Sequence, residues 1–171
     1  MNIIEIILKA LRLILSGDAL LFEIIFLSIR VSLTALLISS IFGIMIGYII
    51  ALKNFLFKNL ILIFFNSLMG IPPVVVGLIV YFIFAHGGPL GVLKLLYTPT
   101  AMIIAQILII FPIVVSLSHE IFAQKWNEYK DHFRSLNMPM LGTIKILTIH
   151  SYFLLITVLL SAFGRAISEV G

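Results

Sequence analysis

The sequence predicts an all-α membrane protein, and three observations carry that expectation. Of its 171 residues, 62% are hydrophobic and 11% charged, with a mean hydropathy of +1.25, a balance that a soluble domain does not tolerate. Apolar stretches long enough to cross a bilayer, which takes ~20 residues, recur through the chain between short polar or turn-rich passages. Lysine and arginine fall mostly on one side of those stretches, as cytoplasmic loops require.

The same composition excludes other classes. With no cysteine there is no disulfide framework and no cysteine metal site. The net charge of +4 belongs to the loops, and no basic cluster interleaved with aromatics lies outside the spans, which argues against nucleic acid. Pro, Gly and Ser never gather into a linker, so residues 1–171 form one domain.

Taken in order, Met1 to Ser16 carries Asn2, Glu5, Lys9, Arg12 and Ser16 as a polar stripe. It is too striped to span and lacks the basic start of a signal peptide, so it predicts an interfacial helix lying on the membrane. Leu20 to Leu52 is the first span. Ala35, Ser39, Gly43, Gly47 and Ala51 recur every four residues, a small-residue seam that lets another helix approach, with packing inside the protomer favoured over a dimer seam. Arg30 sits within this run and is expected to reach for the outer surface.

After a basic turn, Lys53 to Lys58, the second span runs from Asn59 to Ala85, interrupted at Gly70-Ile71-Pro72-Pro73. Two prolines remove two backbone donors. Non-helical backbone at membrane depth persists only where protein or a water-filled cavity covers it, so a broken helix there points to a transport pathway. His86 to Pro99 is a turn-rich loop, and Thr100 to Phe122 the third span. His119-Glu120 near its end does not extend into an HExxH metal motif and reads as polar residues at an interface.

Gln124 to His150 is the one long polar passage. Lys125 to Leu136 has no Gly or Pro and predicts a short amphipathic helix with Tyr129, Phe133 and Leu136 on one face, a shape that wants a partner groove. Asn137 is placed as a left-handed helix C-cap. Ile146 to Val170 is the fourth span. Lys53, Lys58, Lys125, Lys130, Arg134 and Lys145 lie on one side and Lys94 in the opposite loop, so the polar passage is cytoplasmic.

The polar passage resembles the coupling-loop signature of ABC-importer membrane subunits: Glu-Ala-Ala, three residues, Gly, nine residues, Ile, any, Leu, Pro. Asp131 stands at the Glu position, His132 and Phe133 at the alanines and Asn137 at the glycine, with Leu147, Ile149 and His150 at the Ile, Leu and Pro positions. No signature residue is identical, but Asp for Glu and Asn for Gly keep the chemistry. Ile71-Pro72-Pro73-Val74-Val75-Val76-Gly77, followed by Gly88-Pro89-Leu90-Gly91, closely resembles the permeases of molybdate- and tungstate-type ABC importers. Tyr97 to Gln106 is more similar to the tungstate branch, and Gly164 to Gly171 resembles the motif that follows the coupling loop.

That resemblance implies a type I importer permease: four spanning helices and a cytoplasmic coupling helix contributed by Tyr129, Asp131, His132, Phe133, Arg134, Leu136 and Asn137. It implies a translocation pathway at Pro72, Pro73, Val74, Val75 and Gly77. Arg165 and Glu169, four residues apart near the outer surface, become an outer-gate or binding-protein contact. Implied partners are a second permease copy, an external oxyanion-binding protein and a cytoplasmic ATPase. No cofactor or metal is expected in this chain, and with no GxxxxGK[ST] loop the ATP-Mg is bound by that ATPase. The expected function is ATP-driven import of tungstate at the cell membrane, molybdate or sulfate being the alternatives. A structural protein or intramembrane enzyme is disfavoured, because Glu23, Arg30 and Glu169 form no catalytic constellation. The family continues past the Gly164–Gly171 motif through a further helix, so the chain is expected to be C-terminally short.

Overall fold

The computed structural model describes residues 19–169. The regular elements among them are all helical. The predicted interfacial helix, and the end of the fourth span at Val170 with Gly171, lie outside the described residues.

Helix α1, Ala19–Leu52, has 34 residues and so is ~51 Å long at ~1.5 Å per residue, well beyond the ~30 Å hydrocarbon core. The predicted second span is two helices, α2 (Lys58–Met69) and α3 (Pro73–Phe84), bent by 100° at the break, a broken span or a re-entrant loop. Pro72 is extended at φ −61°, ψ 136°, and Pro73 opens α3. A proline tolerates that first helical position because its missing N–H would lack an intrahelical partner anyway. Helix α1 and two further helices, α4 (Pro99–Ser135) and α5 (Met140–Ser168), are each long and apolar enough to cross a membrane, and the bent α2–α3 pair passes the same test as a fourth span. The chain is a multi-pass membrane protein.

The structure corrects the expectation of a separate amphipathic helix. The third span does not stop at Phe122; α4 runs unbroken for 37 residues through to Ser135. Ala123, Gln124 and Lys125 are strong helix formers with no breaker among them, so the polar passage extends the spanning helix. Pro112, buried inside α4, does not end it either. Helix α5 likewise starts six residues before the predicted Ile146, because Pro139 caps it in an extended conformation.

Helices α1 and α4 run parallel and side by side, and α5 packs antiparallel against both. The small-residue seam, Ala35, Ser39, Gly43, Gly47 and Ala51, is buried, as expected of packing within the protomer. A Cβ on Gly47 would stand 2.9 Å from the Val115 oxygen, the His119 nitrogen and Ser118 Cβ. Ala35 joins Ile110, Val114, Val158, Ala162 and Ala166 in one core cluster. A second, at the basic end, gathers Tyr48, Ala51, Phe122, Phe133, Leu147 and Leu155. On the far side of α4, Val76, Val80 and Phe84 of α3 pack with Ile104, Ala105 and Ile109, and Phe65 of α2 meets Phe111 edge-on at 6.1 Å.

The Gly88-Pro89-Leu90-Gly91 loop folds back on the end of α3. A Cβ on Gly88 would collide with the Phe82 carbonyl oxygen, and one on Gly91 with that of Ala85. Backbone thus approaches backbone at both positions, which only glycine permits.

Candidate functional site

Met102, Ala105, Gln106, Ile109, Ser116, His119, Glu120 and Ala123 recur at three- and four-residue steps and share one face of α4. The broken span covers this face, α3 along its first half and α2 along its second. The break is therefore held against the middle of α4.

A cleft of about 350 Å³ opens beside the break, lined by Pro73, Val74, Gly77, Met102, Ala105, Gln106, Ile109 and Glu169. Three predicted pathway residues, Pro73, Val74 and Gly77, are thus brought together with Glu169, which the sequence placed apart as an outer-gate residue. Pro72 and Val75 do not line the cleft: Pro72 caps α3 and its carbonyl accepts from the Val75 amide at 2.9 Å, while Val75 is exposed. Val74 is 74% exposed. Its amide lies in the first turn of α3, where helix donors lack intrahelical acceptors.

Gln106 is the residue that sequence reasoning passed over. It is buried, and its Nε2 donates to Ser32 Oγ at 3.3 Å and to the Ala166 carbonyl at 3.2 Å. A carbonyl only accepts, so the nitrogen must face Ala166, which leaves Oε1 buried without a partner. A polar side chain within an apolar span was the signal available for it. Glu169 completes the cleft from the end of α5, its Oε1 3.6 Å from Arg165 Nη1. This i,i+4 ion pair is partly exposed and so worth little to stability.

At the opposite end, α4 closes in a Schellman turn. Met138 N–H donates to the Phe133 carbonyl and Asn137 N–H to that of Arg134, both at 3.1 Å, the paired pattern that satisfies helix-end carbonyls. Asn137 sits at φ 46°, the left-handed conformation foreseen for it. The proposed coupling residues divide here. Phe133 is 7% exposed and packs inward, stacked on Trp126 at 6.1 Å and near Tyr129 at 6.3 Å. Leu136 is 68% exposed, and Asp131, His132, Arg134 and Asn137 are also exposed. The structure thus turns Phe133 away from any partner that the exposed residues would meet. Tyr129 is half-buried, leaning on His150 at 5.9 Å. Among the described residues no group of three or more His, Cys, Asp or Glu is placed to hold a metal ion.

Residues 43–170 match the family described as binding-protein-dependent transport system inner membrane component. The chain is similar to the tungstate uptake system permease protein TupB of Peptoclostridium acidaminophilum, 38% identical over 95% of this chain and 71% of the relative. It is 33% identical to a probable anion ABC transporter permease protein of Haloferax volcanii over 84% of this chain and 62% of the relative. A tungstate uptake system permease protein of Campylobacter jejuni is 34% identical over 69% of this chain and 49% of the relative. The chain therefore spans about half to seven-tenths of the length of these curated relatives.

Proposed function

Because the chain belongs to the family of binding-protein-dependent transport system inner membrane components, we propose that it is the membrane subunit of an ATP-driven importer of a tetrahedral oxyanion, tungstate first. The observation that carries the reading is the cleft at the 100° break, where Val74, Gly77, Gln106 and Glu169 meet, in a chain related to two tungstate permeases and an anion permease. A doubly charged anion faces a prohibitive desolvation cost in hydrocarbon. Its route must offer donors without trapping it. The first turn of α3 supplies the Val74 amide, since Pro73 has no N–H and the Val75 and Val76 amides donate to the Pro72 carbonyl, while the Glu169 carboxylate, partly offset by Arg165, repels an anion that lingers.

In this reading two copies of the chain form the pathway between them and alternate in access to the two sides. An external binding protein delivers the anion at the Glu169 side. A cytoplasmic ATPase subunit, which binds ATP-Mg, engages the basic end through the exposed turn at Leu136 and Asn137. Tungstate is preferred over molybdate and sulfate because two relatives carry its name, and the binding protein does most of the discrimination.

The test is uptake in proteoliposomes holding the permease and its ATPase, supplied with the binding protein. ATP-dependent accumulation of tungstate is expected. Accumulation of molybdate or sulfate alone would reassign the substrate, and accumulation of none of the three would overturn the reading.

A further inference from the structure

The stretch that joins α1 to α2, residues 53–58, reads Lys-Asn-Phe-Leu-Phe-Lys. Its three apolar side chains stand outward: Leu56 is 90% exposed, Phe57 60% and Phe55 38%. A turn favours small and polar residues, and large apolar groups gathered at a loop tip mark a contact surface. Helix α2 carries that surface on. Leu60, Ile63 and Phe64 are exposed at three- and four-residue steps, and none of the α2 residues is buried.

The two lysines that bracket the tip converge. Lys58 Nζ reaches back to the Ala51 carbonyl at 3.2 Å, two positions before Lys53, which is exposed. That bond uses one of the three ammonium donors. Two positive charges thus share the end of α1. From Ile24 to His119 the sequence holds no Asp or Glu. Glu120, which faces α2 from α4, forms no ion pair with Lys58 among the described residues. Depth decides what meets the tip. Tyr48 packs edge-on against Phe122 at 5.4 Å, and Ala51 joins the same cluster. The tip is therefore level with the end of the apolar run in α4, where Gln124 and Lys125 follow. That level is the headgroup layer of the cytoplasmic leaflet, where basic and aromatic residues anchor. The turn at Leu136, given above to the ATPase, lies ~20 Å farther along α4 at ~1.5 Å per residue, so the tip meets the bilayer and not that subunit.

We propose that residues 53–58 form a binding site for an anionic phospholipid of the cytoplasmic leaflet. Lys53 and Lys58 meet the headgroup phosphate, while Phe55, Leu56 and Phe57 lie among the upper acyl chains. Apolar contact alone would accept any phospholipid. The paired ammonium groups select one of net negative charge, each lysine near the surface being worth roughly fivefold in binding. The inference needs the membrane setting and the orientation of the chain but not the importer reading.

The chain has no cysteine, so Leu56→Cys carries a single fluorophore at the tip. The protein is reconstituted in phosphatidylcholine vesicles, and quenching is compared between spin-labelled phosphatidylglycerol and spin-labelled phosphatidylcholine at equal mole fraction. Phosphatidylglycerol is expected to quench several-fold more strongly, whereas a fluorophore at Ile41→Cys, exposed on α1, should show no preference. Lys53→Gln should cut the preference roughly fivefold while leaving the Lys58–Ala51 contact in place, so its effect does not depend on the folding of the turn. Adding Lys58→Gln should abolish the preference, and Lys53→Arg should keep it. Equal quenching by the two lipids at Leu56→Cys, a preference that survives both glutamine substitutions, or a fluorophore that neither lipid quenches would each overturn the site.

Discussion

Gln106 Nε2 stands 3.2 Å from the Ala166 carbonyl oxygen, and that contact joins the outer halves of α4 and α5 across 60 residues of sequence. A third helix enters through Ser32, at 3.3 Å from the same nitrogen. One amide thus fixes three helices beside the cleft that Gln106 also lines.

Gln106→Glu should lower stability more than Gln106→Met does. A carboxylate would set an acceptor against the Ala166 carbonyl, at a cost of about 1–3 kcal/mol, whereas methionine fills the volume and forfeits only the hydrogen bonds. Thermal unfolding in detergent, followed by fluorescence of Trp126, the single tryptophan, checks the order. Equal midpoints for the two variants would show that the contact contributes nothing.

The α1 seam predicts a second ordering. Gly47→Ala should destabilise by about 1–3 kcal/mol, the cost of overpacking, because its Cβ meets backbone atoms that cannot yield. Gly43→Ala should cost less, since the nearest atom is Val114 Cγ1 at 2.8 Å, a side-chain end able to shift. Yield of inserted protein and the unfolding midpoint both report it.

Cysteine at Val74 should be labelled by a water-soluble thiol reagent faster than cysteine at Ile41, which is exposed on α1. Leu62, whose apolar setting in sequence suggests a lipid-facing control, lines a cleft between α2 and α4 together with Asn66, His119 and Glu120 and is unsuited to that purpose. Labelling of Val74→Cys no faster than Ile41→Cys would argue against a wet pathway at the break.

At the basic end, Asn137→Gly should be tolerated and Asn137→Val should not, because a β-branched residue resists the φ of 46°. Leu136→Asp should abolish co-purification of the ATPase and leave the permease folded. Phe133→Asp should instead destabilise the permease itself, placing a charge among Trp126, Tyr129 and Leu147. Full ATPase recovery with Leu136→Asp would remove the exposed turn from the docking surface.

The sequence by itself determined the class, the apolar runs and the break. Long apolar runs leave the backbone no stable form in lipid other than helix, and Pro72-Pro73 forbids continuity wherever it falls. It also determined the left-handed turn at Asn137 and the small-residue seam, since both follow from local sterics and a four-residue period. Only the tertiary structure decided that Pro73, Val74, Gly77 and Glu169 share one cleft, because residues 90 or more apart meet only through the packing of α3 and α5 on α4. It alone turned Phe133 inward, since an amphipathic stripe marks an apolar face without saying which surface that face covers. And it alone revealed Gln106, Ser116 and His119 as one polar face along α4, because a lone polar residue in an apolar run acquires its meaning from the helix packed against it.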